Sequence, residues 1–416
     1  MNTSAFCFAG DLADEGLATV LDNIQGRAGL GGVTMAAAYH ASRDLFPHAR
    51  IRRLRYQPGG EIFFRPDPAH WRGLAIQPRP SGLTRDADPL AELVAAAGTR
   101  GLAVQAWTVF LHVDWTEDGN PQFAEQTCFG DPCLTELCPA HPDVRAYALA
   151  LARDIAGRGV GSVLAESLHH HPLEHGAHHE RYFVELGAAA RLLLGLCFCE
   201  HCLAAARRHG ADPDELRRRA CAEVQRAFAG DDPQPTAQLT REEAASMLGG
   251  QLGALLDARC ESVASLAGEL AAATAEQGVR LELLDASGAV KGYATGRPEG
   301  DAAPSIAWRL GVDIAACARA GATIGAIAYA ADPARVAQDL DAYLRLARSG
   351  SDPGLADRPL VAALRPVAPD CDSAENLAAK LRAARDAGVD RVDFYHYGMA
   401  PLSALDRIRE ALALAG

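Results

Sequence analysis

Eight short apolar runs, each followed by a helix-forming stretch, are the feature that most narrows the folds open to this 416-residue chain. They lie at Ala5–Ala9, Gly32–Ala38, Leu102–Val113, Gly161–Ala165, Val279–Leu284, Ala322–Tyr329, Pro359–Leu364 and Arg391–Tyr395. Runs that are apolar on both faces read as strands of a parallel sheet covered by helices. Eight such units predict an α/β fold, a (β/α)8 TIM barrel. An open doubly wound sheet would carry a glycine-rich phosphate turn after its first strand, and Gly10-Asp11-Leu12 is no such turn. One barrel domain is expected over residues 1–416, with elaborated loops at about 50–82, 167–202 and 228–240.

Composition removes several function classes. With 49% hydrophobic and 22% charged residues, the chain can build a core and is not a disordered one. A formal charge of -13 argues against nucleic acid or an anionic membrane as partner, because both demand a basic surface. No run of 18 apolar residues suggests a membrane span, and Met1–Cys7 lacks the basic start of an export signal. A cytoplasmic protein is the expectation. Self-association into a homo-oligomer is left open.

Catalytic groups of a barrel sit where strands hand over to loops. Polar residues collect at those points: Tyr39, His40 and Arg43 after the second strand; His112, Asp114 and Trp115 after the third. Glu166, His169, His170 and His171 follow the fourth, Asp285 the fifth, Tyr329 and Asp332 the sixth. Arg365 ends the seventh, and Tyr395, His396 and Tyr397 the eighth. Aromatic faces beside hydrogen-bonding tips suit a sugar ring. Glu166 ends the apolar run Gly161-Ser-Val-Leu-Ala, so low-dielectric walls would raise its pKa toward that of a general acid. The stretch Leu168–Glu180 holds six histidines within eleven positions, which reads as a substrate-lining loop or as transition-metal ligands.

Six of the eleven cysteines fall between Cys128 and Cys202. Cys197-Phe-Cys199-Glu-His-Cys202 presents three thiolates around one tight turn, and zinc takes four ligands. Cys138 is the natural fourth, with Cys128, Cys133 and His201 as substitutes. A closed four-thiolate site would be structural, pinning the loop after strand four to that after strand three.

The order Cys138-Pro139, Arg145 on a helix, Glu166, then Cys197-x-Cys199-x-x-Cys202 resembles the zinc-carrying β-galactosidases of glycoside hydrolase family 42. That resemblance covers roughly Cys138–Cys202 and implies zinc on Cys138, Cys197, Cys199 and Cys202, with Glu166 as acid/base. Ala165 stands where that clan carries asparagine, and Arg365 ends strand seven where it carries a nucleophilic glutamate.

Together these features predict a glycoside-hydrolase-like enzyme acting on a small carbohydrate or glycoside. Glu166 would protonate the leaving oxygen, and Asp285 or Asp114 would be the second carboxylate. His40, Arg43, His112, Trp115, His169, His171, Tyr395, His396 and Tyr397 would line the sugar site. Two other readings compete: a metal-dependent barrel lyase, isomerase or hydrolase using the histidine-rich loop, and a non-catalytic carbohydrate-binding barrel.

Overall fold

The computed structural model describes residues 1–114, 120–173, 181–230, 239–291, 293–350 and 353–416. Eight parallel strands form the barrel: β1 (Asn2–Cys7), β2 (Gly32–Tyr39), β3 (Ala103–Val109), β4 (Ser162–Glu166), β5 (Arg280–Asp285), β6 (Thr323–Ile327), β7 (Leu360–Leu364) and β8 (Val389–Phe394). Pairing of β1 with both β2 and β8 closes the ring. The fold is a (β/α)8 TIM barrel.

The surrounding helices are α1 (Ala9–Glu15), α2 (Pro89–Thr99), α3 (Pro142–Ala156), α4 (Gln251–Ala275), α5 (Ile314–Arg319), α6 (Pro333–Ala347), α7 (Ala374–Asp386) and α8 (Ser403–Ala415). Local chemistry sets their starts. Asp88 and Asp332 each precede a proline and accept a backbone N–H of the first turn. The side chain satisfies an orphan donor, and the proline ring presets helical φ where no N–H is needed. Among the described residues, no helix is long and apolar enough to cross a membrane.

The first and third strands depart most informatively from the expected ranges. The first strand ends at Cys7 because Asp11 accepts the Phe8 N–H at 2.9 Å and turns the chain into α1. The third ends at Val109, but its backbone runs on beside β4, with Phe110 N donating to Glu166 O at 3.0 Å and Leu111 N to Ser167 O at 3.2 Å. That extension carries His112 and Asp114 over the barrel mouth.

Inside the barrel a polar layer underlies the mouth. Arg391 of β8 is pinned between Glu282 of β5, at 2.8 and 2.5 Å, and Asp393, at 2.9 to 3.1 Å. Thr34 donates to Asp393 at 2.9 Å, and Ser4 and Thr34 share a hydroxyl bond at 2.8 Å. Removing one partner from a buried charge cluster leaves the others desolvated. Arg391→Met is therefore expected to cost about 3–5 kcal/mol, read by chemical denaturation. An unchanged unfolding midpoint would contradict this account of the layer.

A second hydrophobic cluster lies outside the barrel core. It joins the four cysteines to Leu216, Val224, Leu252, Leu255 and Leu256. Helices Glu200–Arg208 and Pro213–Phe228 build it against the start of α4.

Candidate active site

Alternation along each strand decides which side chains enter the barrel. Ser4, Gln105, Glu282 and Asp393 share the polar layer or its edges, so Phe6, Trp107 and Tyr395, each two residues further on, form the next layer up. Trp107 is its centre. Phe6 packs edge-on at 4.9 Å, Tyr39 at 4.6 Å and Tyr395 at 5.9 Å, while Phe8 stacks at 5.6 Å. The Trp107 indole N–H donates to the Glu166 carboxylate at 2.5 Å. Glu166 is half-buried at the end of β4, and its charge reaches Tyr39, Tyr329, Tyr395, His40 and His112. Burial pushes all three tyrosine hydroxyls up, so they act as neutral donors and acceptors.

A histidine cluster forms one wall. His112 Nδ1 bonds Glu136 at 3.0 Å, and its Nε2 stands 3.4 Å from Asp114. His171 pairs with the other oxygen of Glu136. Burial alone would raise the Glu136 carboxyl; His171 and His112 outweigh it and hold the group well below the ordinary range. His112 is raised, because Glu136 overcomes the opposing effect of burial. His40 is lowered, by burial first and then by His112. His169 turns its Nδ1 to the His170 carbonyl at 2.8 Å, and His170 bonds Glu125 at 2.5 Å.

The other expected site residues take varied positions. Asp285 is turned away from this site: it is buried, and its Oδ2 accepts from the Tyr343 hydroxyl of α6 and from the Ser287 N–H. Tyr397 likewise faces the helix layer, where its hydroxyl donates to Glu15 at 2.9 Å and accepts from Asn23 at 3.0 Å. Arg43 is exposed on a hairpin formed by Ser42–Leu45 and Leu54–Gln57. His396 is buried against Phe8 at 4.3 Å, and the Tyr395–His396 peptide is cis. Trp115 and the histidines at 175, 178 and 179 lie outside the described residues.

Four sulfurs meet beside this wall. Cys138 Sγ is 3.6 Å from Cys199, 3.5 Å from Cys202 and 3.9 Å from Cys197, and all four cysteines are buried. A tetrahedron with about 2.3 Å metal–sulfur bonds has edges of about 3.8 Å, so the set fits a zinc-sized ion. Cys128 is engaged instead with Cys221.

No protein-family profile matches the sequence, and no curated protein matches it. The fold does match solved structures. A β-galactosidase from the psychrophilic Marinomonas ef1 superposes with a TM-score of 0.55 at 12% identity, over 100% of this chain and 59% of that one. The catalytic domain of a β-amylase from Paenibacillus polymyxa gives 0.53 at 11% identity, over 99% of this chain and 98% of that one. A cold-adapted β-galactosidase from Rahnella sp. R3 gives 0.53 at 12% identity, over 100% and 56%. The structural neighbours are glycoside-hydrolase barrels. This chain spans less than two thirds of the length of either β-galactosidase, and at such identity the likeness is one of fold.

Three residues of this site escaped the sequence reading. Trp107 read as strand core, and only its parity with Gln105 marks it as inward-facing. Asp44, whose charge is felt at Tyr39 and Tyr395, sits on the hairpin beside Ser42, which donates to it at 2.5 Å. Glu136 lies on a short strand, Pro132–Leu137, that has no apolar run to announce it.

Proposed function

We propose that the protein is a glycoside-hydrolase-like enzyme acting on a carbohydrate or glycoside, with Glu166 as the proton donor to the leaving oxygen. The observation that carries this reading is the environment of Glu166. Its carboxylate stands at the mouth on an indole N–H, amid three tyrosines. Aromatic faces with hydroxyl tips bind sugars by stacking and hydrogen bonding together. The fold of the neighbours supports the same reading.

Glycoside hydrolysis needs a second carboxylate. Asp285 faces α6, which leaves Asp114 and Asp44. We favour Asp44, because its charge and that of Glu166 converge on Tyr39 and Tyr395, whereas Asp114 is held by the Ala41 N–H at 2.7 Å and by His112. A panel of aryl glycosides tests this. On a responsive substrate, Asp44→Asn is expected to lower turnover by about 10²–10⁴-fold, the usual worth of a positioned base. Full activity in that variant, with activity lost in Asp114→Asn, would transfer the role to Asp114.

The proposal includes a structural zinc on Cys138, Cys197, Cys199 and Cys202. A closed thiolate site supplies cross-linking and leaves no position for substrate. Its reach into the active site is traceable. Cys197 Sγ accepts the Gln126 N–H at 3.4 Å, and Phe198 N donates to Gln126 O at 2.7 Å. Glu125, next in the chain, holds His170. Thiolates kept reduced in this way suit a cytoplasmic setting.

A further inference from the structure

We infer that His40, His112 and Asp114 form a second metal site, for a divalent transition ion, at the mouth of the barrel. The site is separate from the thiolate cluster and does not depend on the glycosidase reading. One ligand atom from each of the three residues lies within 4.8 Å of the others, close to the about 3.3–4.4 Å that separates ligands bonded to one ion at about 2.0–2.2 Å, so small side-chain rotations close the set on an ion. Two imidazoles and one carboxylate are a nitrogen-rich set. They select zinc, iron, cobalt, nickel or manganese over calcium and magnesium, which take all-oxygen sites.

Hydrogen bonds around the set orient it as ligands are oriented. His40 Nδ1 is 2.8 Å from the Ala41 carbonyl, which can only accept, so Nδ1 carries the proton and Nε2 can offer its lone pair. His112 Nδ1 is likewise directed to Glu136 at 3.0 Å, placing Nε2 on the side of Asp114, 3.4 Å from its Oδ2. A carboxylate or carbonyl behind each ligating imidazole is the usual outer arrangement of such sites. Asp114 is itself fixed: its φ is +48°, and its Oδ2 accepts the Ala41 N–H at 2.7 Å. Glu136 belongs to the outer layer, since its two oxygens are each taken by an imidazole, His112 on one and His171 on the other.

Three protein ligands leave coordination positions open. An ion there would take water or an oxygen of a bound ligand at those positions. Glu166 is near enough for its charge to act on both His40 and His112. The competing account of the same geometry is a metal-free ion pair, with a doubly protonated His112 between Asp114 and Glu136.

The experiment uses the full chain with its thiolate site filled with zinc. Manganese(II) favours nitrogen and oxygen ligands over thiolate, and its paramagnetic signal is lost on binding. Titration is expected to remove the free-ion signal up to one equivalent. His40→Gln and Asp114→Asn, checked for folding by circular dichroism, are expected to weaken that uptake by at least about tenfold. Cobalt(II) added to metal-free protein should fill two sites, of which only one shows thiolate-to-cobalt charge transfer. No manganese uptake at millimolar concentration by the unmodified protein would overturn the proposal and favour the ion pair, whether or not the variants fold. Uptake that is unchanged in both folded variants would overturn it as well. Activity on glycosides enters neither readout.

Discussion

Replacing Glu166 by glutamine is expected to lower turnover of any responsive glycoside by about 10²–10⁴-fold while leaving ligand affinity near its original value. The substitution is close to isosteric. The amide oxygen can still accept the Trp107 N–H that the carboxylate accepts at 2.5 Å, so the wall of the site should stay in place. What is lost is a transferable proton. The deficit should therefore grow with the basicity of the departing oxygen. Activated nitrophenyl leaving groups, which depart with little protonation, should suffer less than alkyl or sugar leaving groups. A uniform loss across the series would point to disturbed binding, and unchanged turnover would remove Glu166 from the chemistry. A non-catalytic barrel would bind the same ligands before and after the change with no turnover in either case.

The barrel was legible because its strands are buried on both faces. Val33 to Ala38, Val163 to Ala165 and Leu360 to Leu364 are apolar almost without break, and the rival doubly wound sheet lacks its glycine-rich turn at Gly10-Asp11-Leu12. Glu166 was legible for the related reason that a carboxylate ending an apolar strand must emerge at the mouth. The same argument misplaced Asp285. Both acids terminate apolar strands, but Glu282 turns into the barrel to meet Arg391, and an odd number of steps along the strand points Asp285 outward to Tyr343. Parity could be assigned only once a partner across the barrel fixed one residue as internal. Trp107 was missed for the converse reason: nothing in Leu102–Val113 distinguishes an inward indole from one packed under a helix. Tyr397 lies beyond the end of β8, where alternation no longer holds, and its hydroxyl is taken by Glu15. The cysteines were legible because a tight turn fixes three sulfurs by chain geometry alone, leaving a single partner to be found at long range.

That cluster yields the other large expected effect. Zinc removal by a strong chelator, or Cys199→Ser, should unfold the second hydrophobic cluster while the barrel strands persist. Structural zinc is worth about 10–16 kcal/mol in isolated zinc-binding peptides, but here much of the surrounding core stands without it. The loss should therefore be confined to helices Glu200–Arg208 and Pro213–Phe228 and to the hairpin of Ala124–Gln126 and Pro132–Leu137, whose turn Arg217 and Cys221 hold at Cys128. Hydrogen exchange in those segments should rise steeply while β1–β8 stay protected. The charge on the sulfurs explains why the ion matters. Without it, four buried thiols within bonding distance must share their protons: hydrogen bonds from Cys138, Cys197 and Cys202 hold Cys199 far down, while the same contacts push Cys138 and Cys202 up. An ion replaces those protons, so zinc uptake should release protons to a dilute buffer, and affinity should fall as pH is lowered. His170 gives the link to activity, since Glu125 holds it and lies one residue from the Gln126 that Cys197 and Phe198 anchor. Zinc-depleted protein should accordingly lose turnover through a disordered histidine wall even with Glu166 and Trp107 intact. Protein purified without chelators that carries well under one equivalent of zinc, yet melts no differently after chelation, would show that the four thiols pack as an ordinary core.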